Sequence, residues 1–395
     1  MSKLQQSQLL QQLPTQFFSK LVQQVGKAVS EGRDIINLGQ GNPDQPTPTH
    51  IIEALQLSAS NPASHRYSPF SGKDSLKKAI CQFYQKEYGV SLQYNNEVAI
   101  LFGGKSGLVE LPLCFCDEGD IILAPDPGYP DYLSGISLAR SSAYFMPLEA
   151  KNNFLPVLDS IPVEIAEKAK LMFLNYPNNP TGACATKEFY EDTVAFAKEH
   201  NIIICSDFAY GAIGFNGEKP ISFLQTEGAK DVGVEIYTLS KTYNMAGWRV
   251  AFAVGNPEII EAINLIQDHM YVSLFPAIQD AATEALLNGD ESVKNLVSLY
   301  QSRRNAFIEK CQSIGWDVTA PEGSFFAWLP VADGFTSEEF ATYLLQHADV
   351  AVAPGIGFGE HGEGYIRVGL VESKERLLEA VDRIAKCNIF LNNKE

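Results

Sequence analysis

Lys241 closes the apolar run in EIYTLSK, and its setting points to chemistry more directly than that of any other residue. A lysine at the end of a buried strand is poorly hydrated, which lowers its pKa and suits it to condense with a carbonyl as a Schiff base. Thr238 and Ser240 supply hydroxyls beside it, and Arg249 adds a guanidinium eight residues later. Together these groups could hold a dianionic phosphate. An exposed turn with a solvated lysine is the competing reading. Asp207, in IIICSDFAYGAI, ends another apolar run, where a carboxylate requires a cationic partner, and Tyr210 stands three residues beyond. Ser206 and Asp207 are also good helix N-caps, the plainer alternative.

Three further clusters close apolar runs. NYPNNPTG, Asn175 to Gly182, is built of turn residues, yet its position would project the Asn179 amide into a crevice, and Asn179–Pro180 is a candidate cis bond. ILFGGKSGLVEL places two glycines between a strand and a helical pattern, so the backbone N–H groups of Gly104, Lys105 and Ser106 form an anion-binding helix start. GGKS lacks the spacing of a nucleoside-triphosphate loop, which excludes that reading. In PDPGYPDY, Tyr129 is either a surface aromatic or a flat ring that stacks on a flat ligand.

The elements that must position these groups are legible from about residue 50 to 285. Short apolar runs (EVAILFG, DIILAP, KLMFLNYP, NIIICSD, EIYTLSK, RVAFAVG) alternate with amphipathic stretches. That pattern predicts an α/β fold with a mostly parallel sheet covered on both faces, and ligands of such sheets bind at the carboxyl ends of the strands. A long helical pattern from about residue 286, followed by shorter elements, predicts a smaller α+β domain. The expected division is 1–49 as a segment joining the small domain, 50–285 as the large domain and 286–395 as the small one. The 395 residues carry 45% apolar and 19% charged side chains, which excludes disorder and coiled coil as the main state. Forty-seven acids against thirty bases give a net charge of −17, which disfavours nucleic acid and anionic membrane. The apolar runs are too short to span a membrane and the first residues too polar for a secretory signal, so a soluble cytoplasmic protein is expected. Seven scattered cysteines read as buried free thiols, and no metal site is expected.

A phosphate site, an aldehyde partner for Lys241, a ring nitrogen for Asp207 and a phenolic oxygen for Asn179 and Tyr210 together describe pyridoxal 5′-phosphate. NNPTG, SDFAY, TLSK with Arg249, and YIRVGL near the C-terminus stand in the order and approximate spacing of one family. The chain closely resembles the class I/II pyridoxal-phosphate-dependent aminotransferases of fold type I over about residues 30–390. The resemblance implies that Lys241 carries the cofactor, that Asp207 keeps its pyridine nitrogen protonated, and that Asn179 and Tyr210 donate to its phenolic oxygen. It further implies Tyr129 as the stacking ring, and Thr238, Ser240, Arg249 and the 104–106 turn as the phosphate cup. Tyr67, in HRYSPFSG, resembles a tyrosine that reaches the phosphate of a neighbouring subunit, which implies a homodimer with shared active sites. Arg367 matches the arginine that grips the α-carboxylate of the substrate, assisted by Asn179 and the backbone near Gly41. The implied partners are a small amino acid and a 2-oxo acid.

Aspartate-specific relatives bring a second arginine from the partner in the stretch that here reads HMYVSLFP, residues 269–276, which has none; His269 falls near that position. With Phe17, Phe18, Tyr67, Tyr129, Phe275 and Phe358 counted around the pocket, methionine or another apolar or aromatic side chain is expected over a dicarboxylate. INLGQGNPDQPTP and EIYTLSKTYNMAGWRV also resemble members assigned to the methionine-salvage transamination of 4-methylthio-2-oxobutyrate. LL-diaminopimelate, aspartate and aromatic substrates, and a C–S lyase on the same fold, stay open as alternatives. A cofactor-binding gene regulator is the other class; it would need a basic segment, and the first 30 residues hold only Lys3, Lys20 and Lys27.

Overall fold

The computed structural model describes residues 4–14 and 18–390. Seven strands form the larger sheet: β1 Val98–Leu101, β2 Ile121–Asp126, β3 Ser142–Pro147, β4 Ala169–Leu174, β5 Ile203–Asp207, β6 Gly233–Thr238 and β7 Ala251–Gly255. Their spatial order is β1-β7-β6-β5-β4-β2-β3, with β7 antiparallel to both neighbours and the other pairs parallel. Each of the six apolar runs singled out in the sequence supplies one of these strands. β3 was not among them. It lies at the sheet edge with only one of its six residues fully buried, so it never needed a continuous apolar run.

Alternation along the central strands feeds two layers. Leu171 and Phe173 of β4 pack with Leu108 and Leu111 of α2 (Gly104–Phe115) and Ile263 of α4 (Pro257–Met270). Met172 and Leu174 turn the other way, towards Ile80 and Tyr84 of α1 (Asp74–Tyr88) and Val194 of α3 (Lys187–His200). A strand period of two with apolar groups at every position makes a sheet that must be covered on both sides.

A second sheet, β8 Phe326–Pro330, β9 Ala353–Pro354 and β10 Tyr365–Gly369, is antiparallel in the order β9-β10-β8. Its core contains Phe307 and Cys311 of α5 (Asp290–Ser313), with Trp316, Phe340 and Leu377. Ile36 and Leu38 are buried in the same core, and Ile36–Asn37 pairs in parallel with Val350–Ala351. Arg303 of α5 holds the following stretch with a two-pronged bond to Asp44, at 2.8 and 2.7 Å. The stretch from Ile36 to Asp44 is thereby tied to the core of the smaller sheet and to α5. All seven cysteines are free. Among the described residues no helix is long and apolar enough to cross a membrane, and no group of three or more His, Cys, Asp or Glu could hold a metal ion.

Candidate active site

The parallel strands β4, β5 and β6 deliver their ends to one edge of the sheet. β6 is buried throughout and runs into a four-residue helix, Leu239–Thr242, capped by Thr238, whose Oγ1 accepts from Ser240 N–H at 3.2 Å. The same hydroxyl donates to Ser240 Oγ at 2.9 Å. Lys241 therefore leaves the sheet at its carboxyl edge. The chain then turns back, and because β7 is antiparallel with Ala251 opposite Thr238, Arg249 arrives at that same edge. Arg249 has φ 56°, a left-handed conformation, and its Nη1 donates to Ala246 O at 2.9 Å. It lies against Gly103, which precedes α2 with φ 86°. A Cβ there would overlap Arg249 Nη2, so only glycine fits. The α2 N-terminus, Thr238, Ser240 and Arg249 thus converge on one spot with N–H, hydroxyl and cationic groups, the donor set a phosphate requires.

Lys241 Nζ donates to Gly41 O at 3.0 Å. Burial, with the Arg367 and Arg249 charges, holds its pKa down to about 8, against a smaller upward pull from Asp207. Asp207 ends β5 and starts no helix, so the N-cap alternative does not hold. Burial raises its carboxyl to about 6, opposed by a hydrogen bond from Tyr132 and one from Ala209 N–H. Tyr132 donates to Asp207 Oδ2 at 2.9 Å. Its ring is buried, stacked on Phe173 at 4.7 Å and edge-on to Tyr129 at 5.7 Å. Tyr132 was missed in the sequence, although PDPGYPDY contains it, because its partner lies 75 residues away.

The NYPNNPTG turn knits itself together. Asn175 Nδ2 donates to Asp207 O at 2.7 Å, while its Oδ1 accepts from Asn179 N–H at 2.8 Å. Asn178 Oδ1 accepts from both Thr181 N–H and Thr181 Oγ1. Asn179–Pro180 is cis, as are Tyr176–Pro177 and Asp126–Pro127. Arg367, at the middle of β10, is 7% exposed. Its Nη1 donates to Asn179 Oδ1 and its Nη2 to Gly39 O, both at 2.9 Å. With the Asn179 oxygen engaged by Arg367, the donors this side chain can offer a ligand are its amide N–H groups. The guanidinium lies 4.1 Å from the Phe326 ring centre and 4.7 Å from that of Phe358, and desolvation lowers its pKa to about 10. It stays charged at neutral pH. A Cβ on Gly41 would sit 2.7 Å from Phe326, so glycine lets the N-terminal stretch pass close to this ring.

These groups line one cavity of about 380 Å³ that includes Gly41, Gly104, Lys105, Tyr129, Asn179, Asp207, Tyr210, Thr238, Ser240, Lys241, Arg249 and Arg367. Tyr210 is buried against Phe325 and Phe326, its hydroxyl pushed well up by desolvation. Phe326, Asn175 and Asp131 join them, the last paired with Lys105 Nζ at 2.8 Å. Ser106 is set back, its hydroxyl donating to Gly103 O at 3.0 Å. Tyr129 and Phe358 line the cavity, whereas Tyr67 and Phe275 lie in a separate surface depression with Arg66 and Ser273. His269 is exposed outside the cavity. Phe17 and the Phe18 side chain fall outside the described residues.

A low-pKa lysine, a buried carboxyl, a cluster of N–H, hydroxyl and guanidinium donors and a buried arginine share one cavity at the strand ends of an α/β sheet, an arrangement suited to group transfer on a small substrate. The sequence model of class I and II aminotransferases matches residues 33–384, and the chain belongs to that family. It is an aminotransferase with the fold type I architecture of that family. It is 62% identical over 388 residues, 98% of each chain, to the L-glutamine--4-(methylsulfanyl)-2-oxobutanoate aminotransferase of Bacillus subtilis. It is 43% identical to the LL-diaminopimelate aminotransferase of Moorella thermoacetica, covering 97% of this chain and 98% of that one. The substrate-bound structure of BacF from Bacillus subtilis superposes with a TM-score of 0.94 at 50% identity, covering 98% of each chain.

Proposed function

We propose that this aminotransferase works with pyridoxal 5′-phosphate and moves an amino group between an α-amino acid and a 2-oxo acid, with methionine and 4-methylthio-2-oxobutanoate as one such pair and glutamine as a donor. The observation that carries the reading is the convergence of Lys241, Asp207, Arg249 and Arg367 on one cavity. The activity of the 62% identical Bacillus subtilis relative supports the substrate pair. The cavity fits the cofactor chemically: the α2 N-terminus, Thr238, Ser240 and Arg249 would hold the phosphate, Asp207 the pyridine nitrogen, Asn179 and Tyr210 the phenolic oxygen, and Tyr129 the ring face. When bound, the cofactor supplies an electron sink that stabilises negative charge at the substrate Cα.

The chain's own groups do the rest. Arg367 grips the α-carboxylate with its planar fork and selects α-amino acids, while Phe326 and Phe358 keep water from the pair. Lys241, with a pKa near 8, is partly neutral at physiological pH, so its Nζ would be able to accept the proton from the substrate Cα. Asp207 would hold the pyridine nitrogen in its protonated form, and Tyr132 holds Asp207 in place.

The active unit is a homodimer in this reading. Tyr67 is 87% exposed and Phe70 63%, a surface that suits burial against a second copy whose phosphate site Tyr67 would complete. Residues 50–285 form the large domain, 286–395 the small one, and 1–49 join the small one. Seven free thiols suit the reducing cytoplasm. The test is to add glutamine and 4-methylthio-2-oxobutanoate to purified protein loaded with pyridoxal phosphate and measure methionine formation. No methionine, together with rapid turnover of LL-diaminopimelate, would replace the substrate reading with the activity named for the 43% identical relative.

A further inference from the structure

The run PGIGFGEHGEGY, residues 354–365, forms the link between β9 and β10 as two tight 3-10 turns, Gly355–Phe358 and Glu360–Gly362. The turns fold against each other so closely that a Cβ on Gly355 would overlap Gly362 O and one on Gly362 would overlap Gly355 O. This compact loop is docked on the end of β2 in the other sheet. Asp126, 3% exposed, accepts on Oδ1 from His361 N–H at 3.1 Å and on Oδ2 from His361 Nδ1 at 3.1 Å. A carboxylate only accepts, so Nδ1 carries the proton. Gly128 N–H donates to Phe358 O at 2.8 Å. A Cβ on Gly359 would overlap the Asp126 carboxylate, and Gly359 has φ 134°, so glycine is required for this approach.

Neither Asp126 nor His361 lines the active cavity, but Phe358, between their contacts, does. Its ring is buried, edge-on to Trp328 at 5.8 Å and 4.7 Å from the Arg367 guanidinium. We propose that Asp126 and His361 are positioning residues for substrate binding: they lock the 355–362 loop to β2 so that Phe358 covers Arg367. The proposal rests on the reading of Arg367 as the carboxylate fork. A guanidinium screened from water pairs more strongly with a carboxylate, so releasing the loop weakens the ion pair that every amino acid makes. Proton transfer at Lys241 is untouched, because no contact of the latch reaches it. The expected signature is a rise in KM, common to all substrates, with kcat kept.

The experiment uses the holoenzyme and three variants, His361→Ala, His361→Asn and Arg367→Lys, with kcat and KM measured for methionine and phenylalanine and a melting curve for each protein. The His361 side chain is 43% exposed, so neither substitution there empties the core. His361→Ala should raise KM for both substrates about tenfold and leave kcat within about twofold, the pattern of lost ground-state binding. His361→Asn, whose Nδ2 stands where Nδ1 stood and can donate to Asp126, should restore most of the loss. A lowered melting point in His361→Ala with unchanged KM would make the pair a structural staple and overturn the proposal. So would a KM rise that His361→Asn fails to rescue. If Arg367→Lys raises KM and His361→Ala does not, the latch alone falls. If Arg367→Lys leaves KM unchanged for both substrates, the carboxylate reading falls and takes the latch with it.

Discussion

Replacing Asp207 with asparagine should cripple the enzyme and stabilise the protein. Asp207 is buried, and burial outweighs the hydrogen bonds from Tyr132 and Ala209 N–H and the Lys241 charge, raising its pKa from 3.8 to about 6. Ionising the carboxyl in the folded protein therefore costs about 3 kcal/mol more than in the unfolded chain. The sign follows from which state holds the proton. Below about pH 4 both states are protonated and there is no penalty; it grows as pH rises and is complete above the folded value of about 6. An amide carries no such cost. Its Oδ1 can accept from Ala209 N–H while its NH₂ donates to Tyr132 Oη, which rotates to accept, so the local hydrogen bonds survive. Cofactor-free Asp207→Asn should thus exceed the wild type by up to about 3 kcal/mol at pH 8, and by about 2 kcal/mol at pH 5.5. Urea unfolding of both cofactor-free proteins at one protein concentration measures this difference. In the loaded enzyme the same substitution should lower kcat/KM by at least a hundredfold, because a neutral amide cannot hold the pyridine nitrogen protonated. A less stable variant at pH 8 would refute the electrostatic reasoning, and near-wild-type turnover would refute the role.

Tyr132→Phe removes the hydroxyl that favours the ionised carboxylate, so Asp207 should rise further and the acid limb of the kcat/KM profile should move to higher pH; an unmoved limb would remove Tyr132 from the site. Arg367→Lys keeps the charge but loses one prong, worth about 1.5–3 kcal/mol, so kcat/KM for methionine, phenylalanine and aspartate should all fall by tenfold or more. A loss confined to one of them would place Arg367 at the side chain. Gly103→Ala pushes a methyl group into Arg249 at a left-handed φ, and fluorescence titration should show weaker binding of pyridoxal phosphate with pyridoxal little changed. Lys241→Ala should abolish turnover yet still bind pyridoxal phosphate non-covalently, and borohydride should trap the cofactor of the wild-type enzyme on Lys241 alone; label on another lysine would overturn the assignment.

The sequence by itself determined the parts of this protein that are local. Strands buried on both faces need unbroken apolar runs, and a parallel sheet places its useful residues where those runs stop. Lys241, Asp207, Asn179 and the Gly103–Gly104 turn were therefore visible as polar groups at strand ends, and six of seven strands were visible as the runs themselves. The seventh, Ser142–Pro147, was hidden because an edge strand is only partly buried. Only the tertiary structure decided which groups meet across long stretches of chain. Tyr132 meets Asp207, Asn179 meets Arg367 and Asp126 meets His361 over separations of 75, 188 and 235 residues. None of these contacts leaves a period or a spacing in the sequence. The rings around the arginine were decided in the same way: composition supplies aromatic residues, but the path of the backbone placed Tyr67 and Phe275 on the surface of the chain and the Phe326 ring centre 4.1 Å from the Arg367 guanidinium.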